Sequence, residues 1–244
     1  MKTVAIIQAR SNSTRLPGKV LLPIGKTNAL QMIVDKCKAQ PLIDEVVVAT
    51  TLNSDLIIDY CIKNSIQYSI GSEENVLQRV YGSAMDSKSD IIVDITSDCP
   101  FIDLEWLSLY LGPILMGSVD YVSNVITRSF PDGLDLQVYK TNSLFELMHL
   151  NDTGNQPEHY QHSGWNFTRF TEYFKTLNIY APKPLHFPEI RITLDTAEDY
   201  AVLNLIYTWL GKDAKPLEIV NFMKNNPKIM AINQNVIAKT PGEL

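Results

Sequence analysis

The chain has 244 residues, 45% of them hydrophobic, which is enough to fill one globular core with an embedded subregion. Its net charge of −6 argues against broad adhesion to nucleic acid or to an anionic membrane surface, and no apolar run reaches the length that spans a bilayer. Cys37, Cys61 and Cys99 are odd in number and form no C-x-x-C pair, so neither a disulfide framework nor a structural zinc site is indicated, and a reducing cytoplasm fits.

The opening segment is apolar only briefly, because Gln8 and Arg10 interrupt it before a secretory core can form. It reads as a strand over 3–8. Helical spacing over 29–39, a strand over 45–50, a helix over 55–63, a strand over 66–69, a helix over 74–85, a strand over 90–95 and a helix over 103–111 follow in turn. This alternation predicts an α/β fold: a doubly wound, mostly parallel, Rossmann-like sheet with helices on both faces. After residue 118 the rhythm loosens, with a strand near 134–139, helices near 143–150 and 165–174, and a strand near 191–194. Residues 126–188 read as an insertion or subdomain within a single domain spanning 1–244, and helices over 197–210 and 217–225 close the pattern.

Open sheets of this kind collect ligands beyond the carboxyl ends of their strands, where strand order reverses. The loops at 9–18, 50–54 and 96–101 therefore become candidates. The first is the most distinctive. The first acidic residue of the chain is Asp35, yet Lys2, Arg10, Arg15, Lys19 and Lys26 all precede it. In the run from Gln8 to Lys19, Ala9, Ser11, Asn12, Ser13, Thr14 and Gly18 lie among Arg10, Arg15 and Lys19. Hydroxyls and backbone N–H groups there can bind phosphate oxygens while the three cations neutralise them. The other reading is a polar surface turn with solvated cations. A P-loop is excluded, because Gly18-Lys19 is followed by Val20 and Gly25-Lys26-Thr27 has Val20 where the leading glycine belongs.

Thr50 and Thr51 close the second strand, where small residues let a flat base approach the backbone, although both also suit an ordinary strand end. The segment from Gly71 to Arg79 reads as a turn followed by a helix start, with Ser72 as cap. Asp98 leaves the most apolar strand at its ligand-binding end, and a hard cation such as Mg²⁺ accepts one or two carboxylates and completes its shell with water and phosphate. Asp195, in Leu194-Asp195-Thr196-Ala197-Glu198-Asp199, reads on its own as part of a helix cap with first-turn acids. Asp132-Gly133 is a turn signal, which leaves Asp135 without a turn role. Glu158-His159-Tyr160-Gln161-His162 carries two histidines at i, i+3, suited to proton transfer, to metal binding or simply to a polar surface.

The run from Ile6 to Leu21 resembles the signature of the cytidylyltransferases that make CMP-activated sugar acids, such as CMP-sialate and CMP-ketodeoxyoctonate. Gly71 to Arg79 and Gly133-Leu134-Asp135 are similar to a branch of that family involved in spore coat polysaccharide synthesis, and the likeness runs in order to about Asp199. The resemblance implies a nucleotidyltransferase of GT-A-like fold that transfers CMP from CTP to a sugar acid with release of pyrophosphate. On that basis Arg10, Arg15, Lys19 and Asp98 carry catalysis, and Ala9, Ser13, Thr14, Thr50, Thr51 and Arg79 hold the nucleotide. Asp98 and Asp195 hold Mg²⁺, and Asp135 and His159 face the acceptor. A homodimer formed through the insertion is also implied. Around His159 the chain departs from the family pattern at Pro157 and Tyr160-Gln161, which leaves the acceptor open between a sugar acid and a phosphate or phosphonate. Two other readings stand beside this one: a nucleotide-sugar-dependent glycosyltransferase, although Asp94-x-x-x-Asp98 replaces the expected Asp-x-Asp, and a non-catalytic nucleotide-binding protein.

Overall fold

Val4, Ala5, Ile6 and Ile7 leave no polar face, which suits only a strand covered on both sides, and all four are fully buried in β1 (Thr3–Gln8). The computed structural model, which describes residues 1–154 and 162–237, places this strand inside a seven-stranded sheet. Chain order continues with a small hairpin, β2 (Pro23–Ile24) and β3 (Thr27–Asn28), then α1 (Ala29–Ala39), β4 (Glu45–Thr51), α2 (Asp55–Lys63), β5 (Gln67–Gly71), α3 (Val76–Asp86) and β6 (Ile91–Thr96). It ends with α4 (Leu107–Leu115), β7 (Tyr121–Ser123), β8 (Gln137–Lys140), α5 (Thr141–Gly154), β9 (Thr176–Asn178), α6 (Ala197–Leu210), α7 (Pro216–Asn225) and α8 (Pro227–Asn233).

The sheet order is β5-β4-β1-β6-β8-β7-β9. β5, β4, β1 and β6 pair in parallel, and β8 alone runs against its neighbours β6 and β7. The chain leaves β1 to build β4 and β5 on one side, then crosses back to lay β6 on the other. The carboxyl ends of β1, β4 and β6 therefore meet at the point where strand order reverses, which is where a crevice opens in doubly wound sheets.

Alternation along the strands sorts the core into two layers. Ala5, Ile7, Val46 and Val48 pack with Ile33, Cys37, Ile57 and Leu111. Val4, Ile6, Val47 and Ala49 pack with Leu77, Val80, Leu144 and Phe167 on the opposite face. A third cluster, including Ile24, Phe101, Leu194, Leu203 and Ile219, docks α6 and α7 beside the carboxyl end of the sheet. Residues 126–188 deliver β8 and β9 to the main sheet.

Several elements differ from the sequence reading. The expected strand at 191–194 is buried but joins no strand. Its backbone instead bonds to the loops it crosses: Ile192 N donates to Asp132 O at 2.7 Å and Leu194 N to Asp98 O at 2.8 Å. The helix expected over 165–174 is a short 3-10 turn, Gly164–Arg169. The helix expected from Glu74 starts at Val76, capped by Asn75, whose side chain accepts from Gln78 N, while Ser72 receives the Asn75 N–H one step earlier. The three-residue strands β7 and β9 and the helix α8 were not expected at all.

Candidate active site

The cationic loop that follows β1 and two distant aspartates meet on one nitrogen. Lys19 Nζ donates to Asp98 Oδ2 at 2.8 Å and to Asp195 Oδ1 at 2.7 Å. Gly18, at φ +65°, makes the turn that starts the helical step Lys19–Leu21. Burial alone would lower the Lys19 pKa, but Asp98 and Asp195 outweigh it and hold the ammonium above its ordinary value. Arg15 Nη2 lies 3.0 Å from Asp195 Oδ2. Arg10 is exposed and makes no ion pair among the described residues.

Asp98 stands just past β6, and Asp195 follows the extended 191–194 segment, two residues before α6. The sequence left Asp195 divided between cap and ligand, and the structure separates the two roles. Thr196 is the N-cap, and Asp199 completes its capping box. Asp195 is left with a ring of cations: Lys19, Arg15 and Arg191 Nη2 at 2.7 Å. Burial would raise its carboxyl, but Lys19, Arg191 and Arg15 bring it down to about 2.

Arg191 is the hub behind this cluster. It is buried, with Nη1 on Asp132 at 2.6 Å, Nη2 on Asp195, and Nε and Nη2 on Asp199 at 2.8 and 3.0 Å. A guanidinium so engaged has no edge to offer an acceptor carboxylate. Gly133 lets the hub form. At φ +110°, a Cβ there would lie 2.6 Å from the Ile192 backbone carbon, the same strip of chain that carries Arg191.

Among the described residues no group of three or more His, Cys, Asp or Glu side chains is arranged to hold a metal ion. The donor set nevertheless fits a hard divalent cation in one respect: Asp98 and Asp195 already converge on a single positive charge, and two carboxylates suffice where phosphate and water supply the other oxygens. Asp94 takes no part. It is fully buried and accepts from Gln8 Nε2 at 2.5 Å, Tyr139 Oη at 2.6 Å and Ser163 Oγ, and burial raises its pKa.

Several other buried polar atoms lack partners. Ser11 Oγ, Thr50 Oγ1, Arg79 Nε and His162 Nε2 are buried without a hydrogen-bond partner among the described residues. Thr51 Oγ1 is engaged with Ser54 Oγ at 2.9 Å, and Ser54 Oγ also accepts from Ser11 N. Arg79 is buried, its Nη1 donating to Ser72 O, and burial together with nearby Arg10 lowers its pKa to about 10. Glu73, in the turn after β5, ties together the loops at 9–18 and 50–54, accepting from Asn12 at 2.7 Å and Asn53 at 3.2 Å.

Of the remaining expected contacts, Ala9 is buried and its N–H is spent on Ala49 O at 3.1 Å, so only its carbonyl side is available. Ser13 and Thr14 lie on the outer part of the loop, and Thr14 is exposed. Asp135 is held by Arg128 in a two-pronged pair at 2.7 and 2.8 Å, a partner that the sequence did not reveal. His159 lies outside the described residues.

Comparison with known proteins gives this geometry a context. A family model described as cytidylyltransferase matches residues 4–210. Spore coat polysaccharide biosynthesis protein SpsF of Bacillus subtilis is 29% identical over 230 residues, covering 91% of this chain and 94% of its own. The 3-deoxy-manno-octulosonate cytidylyltransferase of Koribacter versatilis is 31% identical over 113 residues, 46% of this chain and 42% of that protein. Among solved structures, a cytidylyltransferase from Leptospira borgpetersenii serovar Hardjo-bovis superposes with a TM-score of 0.85 at 31% identity, covering 98% of this chain and all of that one. No described helix is long and apolar enough to cross a membrane.

Proposed function

The chain belongs to the cytidylyltransferase family, and from that premise we propose that it transfers CMP from CTP to a sugar acid or a related small acceptor, releasing pyrophosphate, in the synthesis of surface polysaccharide or glycoconjugate. The observation that carries this reading is the meeting of Lys19 with Asp98 and Asp195 at the carboxyl ends of β1 and β6. Such a cluster provides mobile positive charge and two carboxylates at one point, as in-line transfer at a phosphorus atom requires.

In this mechanism an acceptor oxygen attacks the α-phosphorus of CTP and pyrophosphate leaves from the opposite side. Lys19 and Arg15 turn from the carboxylates toward phosphate oxygens and absorb the charge that develops on the leaving group. Arg10, exposed and unpaired with any described acid, adds to the same field. Ser11 Oγ, Thr50 Oγ1 and Arg79 Nε contribute donors that have no partner among the described residues, so a bound nucleotide satisfies them at no cost in existing bonds. Mg²⁺, when bound, would be held by Asp98 and Asp195 and would supply positive charge beside the triphosphate. Asp135 and His159 are assigned to the acceptor side of the site, and the 126–188 region to acceptor binding and to a homodimer contact.

The test is a pyrophosphate-release screen with ATP, GTP, CTP and UTP, with and without Mg²⁺, against 2-keto sugar acids, sugar phosphates and phosphonates. Release confined to CTP, dependent on Mg²⁺ and on a 2-keto sugar acid, is expected. Release with every nucleotide, or with none across the whole panel, overturns the reading. A single monomeric boundary in sedimentation removes the homodimer.

A further inference from the structure

The family match ends at residue 210, yet the chain beyond it reaches back to the charged cluster twice. Asn233, the last residue of α8, is only 2% exposed. Its Nδ2 donates to Asp199 Oδ1 at 2.9 Å and to the Arg191 carbonyl at 3.1 Å. Four residues on, the Ile237 carbonyl accepts from Arg15 Nη1 at 3.1 Å, while the other prong of Arg15 holds Asp195.

We infer that Asn233 is a positioning residue for this site, fixing Asp199 and the Arg191 main chain so that the Arg191 guanidinium is held against Asp195. An amide buried at the end of a seven-residue helix has no value for packing alone, because an apolar side chain there would avoid the desolvation of two polar groups. Its geometry matches the need instead. Asp199 already accepts from Arg191 Nε, Arg191 Nη2, Asp195 N and Thr196 N, and Asn233 closes the remaining side of that carboxylate. It also ties it to the backbone from which Arg191 projects. Arg191 then has one orientation available, and Asp195, which shares its Nη2, inherits it. Residues that orient primary ligands in this way commonly change activity by roughly 10- to 100-fold when removed.

The inference rests on the proposed use of Asp195 in CTP chemistry, but its first test needs no ligand. The chain has only six arginines, so the Arg191 Nε–H signal can be identified in nitrogen-edited NMR by its loss in Arg191→Lys. Asn233→Ala and the isosteric Asn233→Asp are compared with wild type. At least tenfold faster exchange of that proton with water is expected in both variants, with the backbone amides of β1 and β6 unchanged. The second measurement is CTP turnover with 3-deoxy-manno-octulosonate as acceptor, where kcat is expected to fall about tenfold with the KM for CTP within twofold of wild type. Unchanged Arg191 exchange in either variant overturns the inference, as does wild-type kcat in an active preparation. Exchange that accelerates equally at Arg191 and throughout the sheet shows a purely structural role and overturns it too. A wild-type protein that turns over no CTP with any acceptor of the panel above defeats the proposed function, and one inactive with 3-deoxy-manno-octulosonate alone is assayed with the acceptor that the panel identifies; in the first case the exchange measurement decides this inference alone.

Discussion

Asp98 and Asp195 reach the same ammonium, that of Lys19, from segments far apart in the chain, at 2.8 and 2.7 Å. Like charges so close are tolerable only with a cation between them. Lys19→Met therefore leaves two facing carboxylates with one compensating charge fewer. CTP-dependent pyrophosphate release is expected to fall by about a hundredfold or more, the usual effect of losing one such electrostatic contact. Asp98→Asn is expected to fall comparably while the fold survives. Steady-state assays beside far-ultraviolet circular dichroism check both, and near-normal rates in the two variants would remove Lys19 and Asp98 from the site.

Arg191 pairs with Asp132, Asp195 and Asp199 and is almost wholly enclosed. Arg191→Met takes from Asp199 its one ion-pair partner among the described residues and removes one of several cations from Asp132 and Asp195, and leaving a buried charge unpaired typically costs about 3 kcal/mol or more. Arg191→Lys supplies one charge but no fork, so it recovers only part of that loss. Urea unfolding measures the difference, and a Met variant as stable as wild type would mean the network contributes nothing.

Gly133→Ala attacks the same network without removing a charge. The added Cβ meets the Ile192 backbone at 2.6 Å and the residue keeps φ +110°, so the Asp132 strip must move away from Arg191. Strain of this kind costs on the order of 1–3 kcal/mol, and a lower midpoint together with reduced CTP turnover is expected. An unaltered midpoint would show that the loop relaxes freely.

How far the sequence revealed this arrangement follows from where each interaction is made. β1, β4 and β6 are legible because each is a local, mainly apolar run of strand length, and the loop after β1 is legible because its cations are neighbours in the chain. β7 and β9 have three residues each, too few for any period to register. The 191–194 segment has the composition of a strand, but its backbone is satisfied by the loops at Asp98 and Asp132, which only the tertiary fold brings near. Arg191 could not be recognised as a hub, since Asp132 and Asn233 lie far away in sequence. Asp195 was visible as one of several acids around the start of α6, and only the Thr196 and Asp199 capping pair shows which of them is free for other work.

Asp132 and Asp195 should give opposite pH signatures. Burial and the neighbouring Asp135 raise the Asp132 carboxyl to about 6 in spite of Arg128 and Arg191, against about 3.9 for an unfolded aspartate. The folded form then binds the extra proton, so this contribution to stability is full below about pH 4 and declines as pH rises to about 6. Asp195, held down to about 2, contributes stability above about pH 4 that is lost as pH falls toward 2. Asp132→Asn is expected to abolish the decline between about pH 4 and 6 and to keep the acid loss. Urea unfolding across that range decides, and an unchanged slope in Asp132→Asn would assign the titration to another group.

Thr50 offers a test in which stability and binding move in opposite directions. Its hydroxyl is buried at the end of β4 with no partner among the described residues, which costs the free protein about 1 kcal/mol or more. Thr50→Val keeps the branched shape and removes the stranded oxygen, so the ligand-free protein is expected to be as stable as wild type or more so, by up to about 1 kcal/mol. If the hydroxyl is kept for the nucleotide, CTP should raise the melting temperature of wild type more than that of the valine variant, because only wild type gains the bond on binding. Thermal unfolding with and without CTP reads both effects in one experiment. A valine variant that gains as much from CTP as wild type would place the nucleotide away from β4 and return Thr50 to the role of an ordinary strand end.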